Sequence, residues 1–159
     1  MDHLRALFES LGFANVETFI ASGNVIFESP TKNAATLEKK IATRLRDDLG
    51  YDVATFIRTT DELAAIACHQ PFRQADFDRA AAFNVAFLHE PLDTASQKKL
   101  FALKTAIDDF AVNGREIYWL CHKKQSESMF SNAVLEKTMG KPATLRGMNT
   151  LKKLAEKYA

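Results

Sequence analysis

At 159 residues the chain has room for one medium domain or two small ones, and 47% apolar residues are enough to fill real cores, which excludes a disordered or fibrous protein. The formal net charge of +1 gives no general attraction to nucleic acid or to an anionic membrane. That balance hides an asymmetry: residues 115–159 hold nine Lys/Arg against four Asp/Glu, while residues 1–114 hold twelve against sixteen. An acidic front and a basic tail either steer an anionic partner to one end or hold two halves together.

Met1-Asp2-His3-Leu4-Arg5 starts a helical pattern with no apolar signal core, and no run reaches the length of a membrane span. The first helix follows from Leu4, Leu7, Phe8 and Leu11 at i, i+3, i+4 and i+7, with Gly12 at its stop. A hairpin is expected next, with strands near 16–21 and 25–29 meeting at Ser22-Gly23-Asn24. Thr31 or Asn33 can cap a helix that buries Leu37, Ile41, Leu45 and Leu49 and ends at Gly50. Residues 52–58 read as a strand, and Thr60 as the cap of a short helix to His69. The stretch 70–79, with Pro71 and no clear period, is the expected boundary between domains 1–78 and 79–159.

The second half opens with a strand over 82–88, stopped by Pro91. Asp93 or Thr94 starts a helix with Leu100, Leu103 and Ile107 on its inner side. A hairpin turns about Asn113-Gly114, and Ser126, Ser128 or Ser131 starts a helix that stops at Gly140. A short strand over 143–146 follows, and Asn149 is expected to cap a last helix burying Leu151, Leu154, Ala155 and Tyr158.

The order helix, hairpin, helix, strand, helix therefore occurs twice, and the spacing from Gly23 to Gly114 nearly equals that from Thr60 to Asn149. The predicted fold class is α+β: two ferredoxin-like (split βαβ) domains in tandem. The first domain is missing its opening strand. In that arrangement the opening strand is central, so its loss leaves a gap with exposed sheet edges. The gap is expected to be filled by another copy, giving a homodimer through the open edge, by another segment, or by about seven β-prone residues upstream of Met1.

Several segments together resemble the bacterial family known as domain of unknown function 1697. They are Leu4 to Phe13, Thr18 to Phe27 with its Ser-Gly-Asn-Val core, Tyr51 to Leu63, Ser131-Asn132, Glu136-Lys137, Gly140, Thr144, Arg146, Asn149-Thr150 and Lys153-Leu154. The resemblance implies tandem ferredoxin-like domains and no established activity. Such proteins usually begin with a strand and a glycine-rich turn, which this chain lacks, and usually carry Asn-Trp where it has Gly147-Met148.

Candidate chemistry is sparse. Ser22 and Asn24 can present donors to a phosphate or carboxylate, or can simply make a hairpin turn. Arg146, with Thr144, Asn132, Lys137 and Lys141 near it in sequence, is the best anion-binding candidate, because its planar fork suits carboxylate or phosphate. A helix starting at Asn149 adds backbone donors. The plainer reading makes Arg146 a bridge to a carboxylate or a solvated side chain.

Cys68-His69 and Cys121-His122 match no standard zinc spacing, and both thiols fall in patterns that read as buried or partly buried, reduced and cytoplasmic. Neither a metal nor a cofactor is expected. The hairpin residues Gly23 to Phe27 lack the basic residue and paired aromatics of an RNA-recognition sheet, which argues against nucleic acid.

The leading expectation is a non-catalytic protein that binds a small anionic ligand or a macromolecular partner in a groove between the domains. The alternatives are an enzyme acting on a small phosphorylated or carboxylated substrate, and an assembly module without a ligand.

Overall fold

A buried leucine stripe, a hairpin and a long amphipathic helix form the first of two compact units in the computed structural model, which describes residues 2–19, 24–31 and 33–159. This unit ends at Arg58. Helix α1 (Asp2–Ser10) leads into strand β1 (Ala14–Phe19), which pairs antiparallel with β2 (Asn24–Glu28); α2 (Ala34–Leu49) follows. Asn33 caps α2 by accepting from the Thr36 N–H at 3.0 Å. Gly50 stops the helix in the left-handed conformation at φ 80°, which glycine adopts without a Cβ penalty.

Leu7, Phe8, Phe13, Val16, Leu37, Ile41 and Leu45 form the core of this unit, with Val25, Phe27, Val53 and Ile57 against it. The Phe13 and Phe27 rings stack at 4.4 Å. The strand expected over 52–58 does not form. Val53 and Ile57 do reach the core, but the Ile57 N–H donates to the Glu38 carboxylate at 2.8 Å rather than into a ladder. An extended segment becomes a strand only beside another strand, and among the described residues none lies next to it.

The second unit runs Thr59–Ala159. It contains α3 (Thr60–Cys68), α4 (Gln74–Arg79), β3 (Ala82–Phe87), α5 (Thr94–Phe101), β4 (Asp108–Asn113), β5 (Glu116–Cys121), α6 (Asn132–Met139), β6 (Thr144–Gly147) and α7 (Met148–Tyr158). The units therefore meet at Arg58/Thr59, not in the 70–79 stretch where composition suggested a boundary. The reason is that the partners of α3 lie far along the chain. It packs on α7, the His69 ring lies 4.8 Å from Tyr118, and Phe72 and Phe77 pack edge-on against Phe83.

The unpatterned stretch itself forms α4. Thr59, one residue before the expected cap, starts α3 in a reciprocal box with Glu62. Asp93 and Ser131 cap α5 and α6.

The sheet of this unit is antiparallel, in the order β4-β5-β3-β6, so the first and third of its strands in sequence are central. The β4–β5 turn is Gly114-Arg115; Gly114 has φ 57°, a conformation that favours glycine at the first turn position. One face of the sheet carries Ala86, Phe110, Ile117, Trp119 and Cys121 into a core closed by Leu100, Phe130, Leu135 and Met139. Fully burying each large apolar side chain there contributes about 1.5–3 kcal/mol. Val85, Tyr118 and Leu120 are buried on the opposite face, where α7 packs on β3 and β6. Mixed helices and antiparallel sheets make the protein α+β.

Candidate functional site

Strand β6 is an edge strand of four residues, and its pairing sets the directions of the side chains that matter. Leu145 faces the core, so Thr144 and Arg146 point from the opposite face, in register with Phe87 and Val85. The Arg146 Nη1 donates to Thr144 Oγ1 at 2.8 Å and to its neighbour's carbonyl, Leu145 O, at 2.9 Å. The guanidinium is half-buried, and this burial lowers its pKa below the ordinary arginine value. The structure thus joins two of the residues singled out from sequence into one bonded pair.

The other candidates are placed differently. Asn132, at the start of α6, donates to Ala143 O at 2.8 Å, while Glu136 accepts from the Ala143 N–H at 3.1 Å; together they tie α6 to the entry of β6. The buried Asn132 Oδ1 has no hydrogen-bond partner among the described residues. Lys137 is exposed on α6. Asn149 is exposed and is not a cap, because α7 begins one residue earlier, at the buried Met148, with Gly147 as N-cap. Asn24 belongs to β2 of the first unit and donates to Phe19 O at 3.2 Å. Ser22 and the turn around it lie outside the described residues.

A cluster that the sequence reading missed surrounds Asp108, which is 3% exposed. Its carboxylate accepts from Trp119 Nε1 at 2.9 Å, Ser128 Oγ at 2.8 Å and Thr105 Oγ1 at 2.9 Å. Burial pushes its pKa up, but these bonds, with a further one from the Cys121 thiol, outweigh burial and leave it below the usual carboxylate value. The Cys121 thiol is itself pushed up, first by burial and then by the nearby Asp108 charge. A carboxylate this fully bonded is a structural anchor, and a thiol this protonated is a poor nucleophile. The available signal was Thr105 three residues before Asp108, the spacing of a side-chain-to-backbone turn.

Cys68 is exposed at the end of α3, against the expectation of a buried or partly buried thiol; a helix end has only one packed side. Among the described residues, no group of three or more His, Cys, Asp or Glu side chains is placed to hold a metal. Nor is any described helix long and apolar enough to cross a membrane. A shallow hollow on the outer side of α2 is lined by Lys39, Lys40, Arg44 and Leu11. Its Lys40 is already bonded to Leu11 O at 3.2 Å.

Comparison with known proteins gives a sequence family and a likeness of fold. The sequence model of a family described as "Protein of unknown function (DUF1697)" matches residues 1–118. A solved structure of a conserved bacterial protein from Streptococcus pneumoniae superposes with a TM-score of 0.76 at 21% identity, covering 98% of this chain and 87% of that one. This likeness is one of fold. No curated protein matches the sequence.

Proposed function

Because the chain belongs to the DUF1697 family of proteins of unknown function, we propose its role from its own chemistry: a non-catalytic binding protein whose second unit takes a small anionic ligand, a phosphate or carboxylate, at Arg146. The observation that carries this reading is the half-buried guanidinium anchored through Nη1 to Thr144 and Leu145. Anchoring one arm of the fork lowers the ordering cost of recognition, and a partly desolvated cation gains more from an anion than a hydrated one does. Thr144 accepts from Arg146, which leaves its own hydroxyl proton to donate to the same ligand. Binding is favoured over catalysis because the Asp108 carboxylate and the Cys121 thiol, both with shifted pKa values, are buried in internal bonds.

The test is isothermal titration of inorganic phosphate and of simple carboxylates into the wild type, Arg146→Lys and Arg146→Ala. Saturable binding that weakens with Lys and is lost with Ala, at unchanged circular dichroism, supports the site. Wild-type protein that binds neither class, or an Ala variant that binds equally well, refutes it.

We also read the two units as copies of one ferredoxin-like module. In support, α1, the β1–β2 hairpin, α2 and the 51–58 segment follow the same order as α5, the β4–β5 hairpin, α6 and β6.

A further inference from the structure

The four-stranded sheet of the second unit has two outer edges, β4 and β6. An open edge of this kind is a template for another chain's strand. In an antiparallel ladder successive residues point their N–H and C=O groups alternately toward and away from a neighbour, so one bond sets the phase of a whole strand. Leu88 N donates to Arg115 O at 2.9 Å, which turns the even-numbered residues of β3 toward β5 and the odd-numbered ones, Val85 and Phe87, toward β6. On β6, Thr144 and Arg146 therefore face inward, while Leu145, and Ala143 just before the strand, face the outer edge. On the other side His122 N donates to Ile107 O at 2.8 Å, so Asp109 and Ala111 face β5, and Asp108 and Phe110 face outward.

Several of these outward groups, along Asp108–Phe110 and Ala143–Leu145, are taken by side chains and loop atoms of the same unit. On β4, Thr105 Oγ1 accepts from the Asp108 N–H at 3.0 Å, and Thr105 N donates back to Asp108 O at 3.1 Å. Asp109 Oδ1 accepts from the Phe110 N–H at 2.8 Å, its charge paired with Lys104 at 3.1 Å. On β6, Glu136 accepts from the Ala143 N–H, Asn132 donates to Ala143 O, and Arg146 donates to Leu145 O.

We infer that both edges of this sheet are blocked to strand addition over Asp108–Phe110 and Ala143–Leu145 by side chains and loop atoms of the same unit, so a partner of the second unit must dock on side chains and not by extending the sheet. The inference is independent of anion binding, and β4, which contributes nothing to the Arg146 site, is the edge to test. Asp109→Val removes one side-chain occupant of that edge, and the double variant Thr105→Val/Asp109→Val removes both. Light scattering at matched concentration should show the double variant shifting from the wild-type mass to at least twice that mass. A folded double variant that keeps the wild-type mass overturns the inference.

Hydrogen exchange on the wild type decides the matter even where a variant fails to fold. The outward amides of Asp108, Phe110 and Ala143 should be protected to the same order as the inward amides of Asp109 and Ala111. Exchange at the rate of unstructured chain would overturn the inference.

Discussion

Asp108 and Trp119 sit on neighbouring strands, and the indole N–H of Trp119 donates to the Asp108 carboxylate at 2.9 Å inside the core of the second unit. Trp119 is fully buried, so its one polar atom needs a partner there, and Asp108 supplies it. Ser128 brings the loop before α6 onto the same carboxylate, and the rings of Phe130 and Trp119 lie 4.8 Å apart. One acid thereby fastens an edge strand, a central strand and a loop.

Replacing that acid should be costly. Asp108→Ala leaves the indole, two hydroxyls and a thiol without their acceptor, and is expected to lower unfolding free energy by about 3 kcal/mol or more. Asp108→Asn, which keeps an acceptor oxygen, should lose less. Urea unfolding followed by tryptophan fluorescence measures both; a loss under about 0.5 kcal/mol for the Ala variant would contradict the anchor.

Acidification should act through the same group. Its folded pKa lies below its unfolded value of about 3.9, so its contribution is fully present above that pH and is lost as pH falls through the folded pKa. Asp93, lowered first by its bond from the Ser96 N–H, shifts stability in the same direction. Thermal melts between neutral pH and pH 2 should show a falling acid limb in the wild type, and a shallower one in Asp108→Asn.

Glu62 has two jobs: one carboxylate oxygen completes the box with the Thr59 N–H at 2.9 Å, and the other accepts from Arg115 at 2.7 Å. Glu62→Gln keeps the cap and weakens the ion pair, so it should cost less than about 1 kcal/mol. Glu62→Ala loses both and should cost about 1–2 kcal/mol. Equal costs for the two variants would mean that the cap contributes nothing.

The two thiols should differ in reactivity. Cys68 is exposed, whereas Cys121 is fully buried with its pKa raised by burial. Mass spectrometry after brief iodoacetamide treatment should find one adduct, at Cys68, in native protein and two in denaturant.

The β4–β5 turn offers a backbone test. Gly114 has φ 57°, where an L side chain is strained, and no atom crowds the position that a Cβ would take. Gly114→Ala should therefore cost about 1–2 kcal/mol through conformation alone, read as a lower midpoint in urea with an unchanged slope.

Much of the architecture was legible in the residues themselves. Leucine and isoleucine spacing marks α1 and α2, alternation with glycine marks the β4–β5 hairpin, and Asn33, Asp93 and Ser131 announce helix starts, because all these signals act within a few positions of chain. Residues 52–58 have the composition of a strand, yet composition cannot supply the neighbour that a ladder requires. The boundary moved to Arg58/Thr59 because α3 and His69 just after it take their partners from α7, Arg115 and Tyr118, contacts made only once the chain has folded back. Among the candidate residues, Thr144 and Arg146 were legible as a polar pair two positions apart on one strand face. That Asn132 and Arg146 also occupy edge carbonyls, and that Asp108 gathers donors from three segments, was decided by tertiary packing alone: burial forces each polar atom to find a partner, and those partners lie far apart in the sequence.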